Sequence, residues 1–446
     1  MTDFLYALVS VVVVLGVMIV VHEFGHFAAA KLLGVRVETF SVGFGKRLFG
    51  YTRGGTDYRV SALPFGGYVK MAGENPMEER TGDPGEFMSH PRWQRFIIAI
   101  AGPAMNILLA IALLTIVYKV HYEQAIYLNQ PAVIGWVQDD SPAAKAGIQP
   151  GDRIEKIGDL NNPTWEDVMP KIWLSPSHPV NLTIQRGNEL LQKTVTPEAV
   201  TEDQIGDVGW QPVGRSSVVW LEDGMPAAKA GLRVGDEIAA VDGKPLRAPS
   251  GMLQMVQNSG GKPIDLTVIR DGRNININVT PVLQDQNGAK QYKIGVLNDF
   301  QTRVLRLPLG RAFSKSLDEN KRNSLLILEL VKKMVERKVS MKSMSGPIGI
   351  ARISGRAARQ PGWMPLLMVM AIISLNLGIF NLFPIPILDG GLILLLLIEG
   401  VMRRDISQTV KERIYQAAFV CLILFAGVVI FNDVLKLLPG LARHIQ

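Results

Sequence analysis

Long uncharged apolar runs alternate with ordinary polar sequence along this chain. Residues 4–21, 96–118, 360–388 and 414–432 carry no Asp, Glu, Lys or Arg. A helix rising about 1.5 Å per residue needs roughly 20 apolar residues to cross a hydrocarbon layer about 30 Å thick. The pattern therefore predicts a polytopic α-helical membrane protein with four transmembrane helices, the first over residues 4–30. A signal peptide would want a basic n-region and a shorter apolar core. Asp3 is the only charge before Phe4, so a retained span is expected.

Between the first two runs the period changes. Residues 35–42 and 57–70 alternate and are rich in Val and Tyr, as strands are. Gly43-Phe44-Gly45, Gly54-Gly55 and Gly66-Gly67 punctuate them as turns or close-approach points. Either a sheet folds back beside the first helix or an ordinary surface hairpin forms. Residues 74–86 read as a polar loop. Residues 317–338 form a lysine-rich helical stretch, either an interfacial amphipathic helix or a soluble tether, and 341–355 continues past a Ser345-Gly346-Pro347 break.

The segment 125–282 repeats itself. Ser141-Pro142-Ala143-Ala144-Lys145-Ala146-Gly147 returns as Met225-Pro226-Ala227-Ala228-Lys229-Ala230-Gly231, and Gly151-Asp152 returns as Gly235-Asp236, each 84 positions later. That spacing suits two copies of one domain better than a solenoid. Asp271-Gly272 in the second copy is a hairpin signal. The expected organisation is a membrane part over 1–124, domains over 125–200 and 201–285, a linker with the amphipathic helix over 286–360, and a second membrane part over 361–446.

Charge orients this plan. Ten Lys or Arg lie between Lys31 and Arg95, and Arg403, Arg404, Lys411 and Arg413 follow the third run. The positive-inside rule makes both connections cytoplasmic. Both termini and the repeat then face the other side. A net charge of +7, placed mostly beside apolar runs, fits a lipid bilayer and not a nucleic acid as partner. The single cysteine, Cys421, excludes an intramolecular disulfide.

The chemistry sits where the first run ends. In Val21-His22-Glu23-Phe24-Gly25-His26 the two histidines are four residues apart, hence on one helical face, where both imidazoles can reach one metal. Glu23 is placed to act as base on water activated by that metal. At about 1.5 Å per residue, His22 lies roughly 27 Å below Phe4, inside the membrane but close to the cytoplasmic surface. Farther on, Asn381-Leu382-Phe383-Pro384-Ile385-Pro386-Ile387-Leu388-Asp389-Gly390-Gly391 puts two prolines and a carboxylate inside apolar sequence. Irregular backbone survives at that depth only when buried in protein or lining a cavity, so Asp389 is expected to have a strong partner. Zinc held by two histidines wants a third protein ligand. Asn106, in the second run, is either interhelical glue or a supporting group for the metal.

Taken together, His22-Glu23-Phe24-Gly25-His26, the Ala-Gly-Pro-x-x-Asn block ending at Asn106, the paired repeat and Asn381 through Gly391 resemble the site-2 proteases of the RseP type. These are intramembrane zinc metalloproteases of the bacterial inner membrane with tandem periplasmic PDZ domains. The resemblance covers nearly the whole chain. It implies Zn2+ bound by His22, His26 and Asp389, Glu23 as general base, and Asn381 holding the substrate backbone. It also implies a membrane-associated, re-entrant sheet over 43–70, with Gly43, Phe44 and Gly45 near substrate. The implied substrates are single-pass membrane proteins, either an anti-sigma factor first trimmed by another protease or remnant signal peptides, cut in an envelope stress response. PDZ domains bind extended peptides at a sheet edge; peptide ligands or a steric role both remain open for this pair. A binding protein on an idle membrane anchor would lack Glu23 or the third ligand. A metal transporter would carry ionisable groups in the second and fourth runs, and those runs have none.

Overall fold

The computed structural model describes residues 2–74, 82–200, 204–286, 289–339, 346–360 and 362–437. Most of the loop expected at 74–86, together with Ser345 of the expected break, lies outside the described residues. The chain divides into two bodies.

The first body is helical apart from one sheet. Its helices include α1 (Thr2–Leu32), α2 (Arg92–Val120), Leu309–Val335 up to Glu329, Pro347–Arg359, Met364–Asn381, Asp389–Met402 and Gln408–Leu437. Four stretches are long and apolar enough to cross a membrane: Val9–Leu32, Arg92–Val120, Met364–Asn381 and Gln408–Val434. In the third, the irregular backbone expected around the two prolines is present. Its apolar run continues to Leu388, but the helix stops at Asn381 and a new one begins at Asp389. Pro384 and Pro386 cause the break, because each withdraws a backbone donor and restricts the residue before it. The lysine-rich helix also starts at Leu309, eight positions before the expected residue 317.

Strands β1 (Val37–Arg53) and β2 (Thr56–Met71) are joined by a turn at Gly54-Gly55, as expected. Each strand is bent, and the halves interleave. Residues 37–42 pair with 67–71 on one side and with 57–60 on the other, while 47–53 pair outside 56–61. The lateral order is therefore 67–71, 37–42, 57–60, 47–53. The bend in β1 needs Gly43, whose φ of +90° suits no L side chain and whose added Cβ would lie 2.7 Å from the Leu63 carbonyl oxygen.

The second body holds the repeat. Its two cores correspond position by position: Ala143, Ile148, Ile154, Ile157, Leu182, Ile184 and Val195 in one, and Ala227, Leu232, Ile238, Val241, Leu266, Val268 and Val279 in the other. A polar pin repeats as well. Arg186 donates to both carboxylate oxygens of Asp152, at 2.7 and 2.8 Å, and to the Gly147 carbonyl at 2.7 Å. Arg270 does the same with Asp236, at 2.7 and 2.6 Å, and with Gly231 at 2.8 Å. Asp271 and Gly272, both at positive φ, make the expected hairpin turn between Ile264–Arg270 and Arg273–Val279. The copies are bonded to each other: Trp136 donates to Gln254 at 2.8 Å, and Gln254 donates to Asp139 at 2.6 Å.

Both module boundaries move outward from the expected 200 and 285. Trp210–Pro212 pairs with Ile134–Val137 of the first copy, and Val296–Phe300 pairs with Ser216–Leu221 of the second. The closing strand of each copy comes after a loop, where residue spacing no longer repeats at 84. Beyond them Thr302–Leu305 pairs with Tyr122–Ala125, so residues to 305 belong to this body and not to a linker.

Candidate metal centre

Helix α1 is apolar around most of its surface, and the crossing with α2 fixes which residues face inward. Gly25 and Gly102 let the two backbones approach. A Cβ on Gly25 would stand 2.4 Å from the Ala101 carbonyl oxygen, and one on Gly102 would stand 2.3 Å from His26 Nε2. The histidines are thereby pressed against α2, 7% and 9% exposed.

Asp389 closes the group. Its carboxylate oxygens lie 3.1 Å from His22 Nε2 and 3.4 Å from His26 Nε2, and the two Nε2 atoms are 3.2 Å apart. Ligands held about 2.0–2.1 Å from a tetrahedral zinc stand roughly 3.3 Å from one another. The two Nε2 atoms, each with one or the other Asp389 oxygen beside it, thus stand near the spacing that zinc requires, and their two-nitrogen, one-carboxylate chemistry suits that metal. No other group of three or more candidate ligands occurs among the described residues.

Tight local backbone places Asp389 there. Gly391 N–H donates to the Leu388 carbonyl, and Leu388 N–H to that of Ile385. A Cβ on Gly390 would fall 2.2 Å from the Phe383 carbonyl oxygen. Ile387, a β-branched residue, sits at φ +97°, a conformation that costs on the order of 1–3 kcal/mol. The strain lies two residues before the carboxylate, and surrounding turn bonds hold it.

Polar neighbours orient the imidazoles. His26 Nδ1 donates to the Ile98 carbonyl at 2.8 Å, in the stretch of α2 where Pro103 withdraws one ladder donor. Asn106 lies 3.1 Å from His22 Nδ1 and is fully buried. Asn381 Nδ2 is 3.5 Å from His22 Nε2. Of the expected set, His22, His26, Asp389 and Asn381 come together.

Glu23 meets the sheet. Its Oε2 accepts from the Val69 N–H at 3.1 Å, and a Cβ on Gly67 would touch its Cγ at 3.7 Å. Gly43, Phe44 and Gly45 instead occupy the corner of β1, where Phe44 stacks on Tyr68. Apart from the Gly66-Gly67 close-approach pair, the sequence carries no signal that Gly67 and Val69 lie at the site. A cavity of about 310 Å³ opens beside Asp389, lined by Glu74, Arg95, Glu399, Lys411 and Tyr415 among others. Within it Lys411 and Glu399 form a buried ion pair at 2.6 Å.

A family model described as Peptidase family M50 matches residues 10–425. The chain is 32% identical over 471 residues to the Regulator of sigma-E protease RseP of Escherichia coli (strain K12), covering 98% of this chain and 100% of that protein. It is 31% identical over 468 residues to a protein of Vibrio cholerae named Putative zinc metalloprotease, again covering 98% and 100%. A PDZ domain of the SdrC-like protein from Listeria innocua covers 20% of this chain and 96% of its own, at 19% identity and a TM-score of 0.18. A match that runs through both membrane parts and the repeat between them means that the chain belongs to peptidase family M50.

Proposed function

We propose that this chain is an intramembrane zinc metalloprotease that hydrolyses peptide bonds within single-pass membrane segments. The observation that carries the reading is the triangle of His22, His26 and Asp389 at the end of an apolar helix, with Glu23 beside it. Zinc held by His22, His26 and Asp389 would supply Lewis acidity and an activated water. Glu23 takes the proton of the attacking water and returns it to the departing amine. The Val69 N–H holds the Glu23 carboxylate in place meanwhile. The cavity lined by Glu74, Glu399 and Lys411 offers water a polar way in.

A helical substrate hides its carbonyls in its own hydrogen bonds and must be extended before attack. In an antiparallel ladder the N–H and C=O of one residue point to the same side. Val69 donates to Glu23 and Met71 to Glu74, so residues 67, 69 and 71 present their polar atoms along the edge of β2 beside α1. That edge supports capture of the unwound segment by strand addition. Asn381, against His22, offers an amide to the same backbone, and Gly43 to Gly45 shape the corner behind it.

By family, the substrates would be an anti-sigma factor already trimmed by another protease, or remnant signal peptides, in regulated proteolysis of an envelope stress response. The Lys/Arg distribution supports an inner-membrane placement with the repeat and both termini periplasmic and the metal centre near the cytoplasmic side. Reporters fused near residues 78 and 160 should read cytoplasmic and periplasmic; the reverse pair overturns this orientation. The chemistry is tested by Glu23→Gln in purified protein. It should abolish cleavage of a single-pass substrate while one zinc per chain remains, and normal cleavage would refute the mechanism.

A further inference from the structure

We infer that Asn106 is a positioning residue that selects the metal-binding tautomer of His22, with its amide oxygen accepting from His22 Nδ1–H. The inference rests on the zinc reading above and begins with an asymmetry between the two histidines. His26 Nδ1 faces the Ile98 carbonyl at 2.8 Å. A carbonyl can only accept, so Nδ1 carries the proton and Nε2 presents its lone pair to the centre. His22 Nε2 has the same task but no carbonyl behind it. Among the described residues its Nδ1 faces only the Asn106 amide, at 3.1 Å.

Two orientations of that amide are sterically alike and chemically opposite. With Nδ2 toward the ring, Asn106 donates to Nδ1 and forces the proton onto His22 Nε2. That proton would point at Asp389 and His26, 3.1 and 3.2 Å away, where the metal belongs. With Oδ1 toward the ring, the oxygen gains a donor and Nε2 is freed for the metal. Only the second arrangement agrees with three donors at ligand spacing.

The surroundings hold Asn106 for this task and do little else with it. It is fully buried on α2, and the Ser374 hydroxyl donates to its backbone carbonyl at 2.8 Å. Gly378, one turn further along the Met364–Asn381 helix, lets α2 come close there, since an added Cβ would lie 3.0 Å from the Pro103 carbonyl oxygen. The third span thus fixes the backbone from which the Asn106 side chain reaches His22.

Asp and Leu at position 106 separate the possibilities, because both approximate the shape of Asn. Asp keeps an acceptor toward Nδ1–H and removes any donor; Leu removes both. Zinc affinity of the purified full-length protein, read by competition with a chromogenic chelator, should stay within a few-fold of wild type in Asn106→Asp. It should fall roughly 10- to 100-fold in Asn106→Leu, the usual cost of losing a partner behind a ligand. Cobalt-substituted wild-type and Asn106→Asp proteins should each show two shifted exchangeable imidazole N–H resonances, one per histidine. Asn106→Leu, or Asn106→Ala if the former does not fold, should retain one slowly exchanging resonance. Weaker zinc in Asn106→Asp than in Asn106→Leu, or equal affinity in all three proteins, overturns the inference. Absence of stoichiometric zinc in the wild type would instead overturn the metal reading itself.

Discussion

Single atoms decide whether the centre can exist. The imidazoles of His22 and His26 lie so close to α2 that position 102 has no space for a methyl group, the added Cβ falling 2.3 Å from His26 Nε2. Gly102→Ala should therefore lower zinc affinity by roughly 10- to 100-fold and cleavage with it, as read by metal content after dialysis. Gly16→Ala on α1, the helix that carries the histidines, where an added Cβ meets nothing within 4 Å, should change neither. Much of this centre was legible beforehand. The i, i+4 histidines declare a shared face, and a carboxylate after two prolines in apolar sequence declares a partner. Gly102 was visible only as part of a motif, because close approach between helices leaves no periodic trace. The role of Val69 was hidden for another reason: its backbone N–H acts, and a backbone group has no residue type to read.

At the scale of elements, periodicity gave the spans and the strands but not how bent strands interleave. Nothing in residues 35–70 says that 37–42 is flanked by β2 on both sides, since that depends on where each strand folds over. The modules show the converse, with cores and pins read directly from an 84-residue offset. Their Asp–Arg pins carry a prediction. Burial alone would raise the Asp236 carboxyl, but the Arg270 hydrogen bond and the Arg233 N–H hold it below the ordinary range. A depressed folded-state pKa gives stabilisation that is complete above the unfolded value of about 3.9 and lost as pH falls through the folded one. Asp236→Asn should speed hydrogen exchange across residues 264–270 at pH 7 by roughly tenfold, the size of one charge-assisted hydrogen bond. It should also flatten the acid limb of stability below about pH 4, and an unchanged limb would contradict the assignment. The closing strands at Trp210–Pro212 and Val296–Phe300 escaped the sequence reading because the loops before them differ in length between copies.

For the whole molecule, the repeat interrupts a chain whose candidate metal ligands, His22 and Asp389, lie on either side of it. A pair of bonded modules inserted there suits a filter that admits substrates already cut short and excludes bulky ones. Capture of peptide ends is the rival role, and deletion separates the two. Removing the modules should let substrates with large outer domains be cut if they filter, and should slow cleavage of trimmed substrates if they capture. Retained zinc with continued rejection of untrimmed substrate would end the filter idea. The strand pairing of Tyr122–Ala125 with Thr302–Leu305 shows where such a deletion belongs. Entry and exit leave side by side, so a two-residue turn between residues 125 and 302 would reclose the chain, at the loss of the Lys333 bond to the Leu174 carbonyl. The same doorway accepts cargo. Any domain whose ends lie a strand spacing apart, about 5 Å, could be spliced there, turning the protease into a chassis whose insert is exchanged while the segments on either side keep their own connectivity.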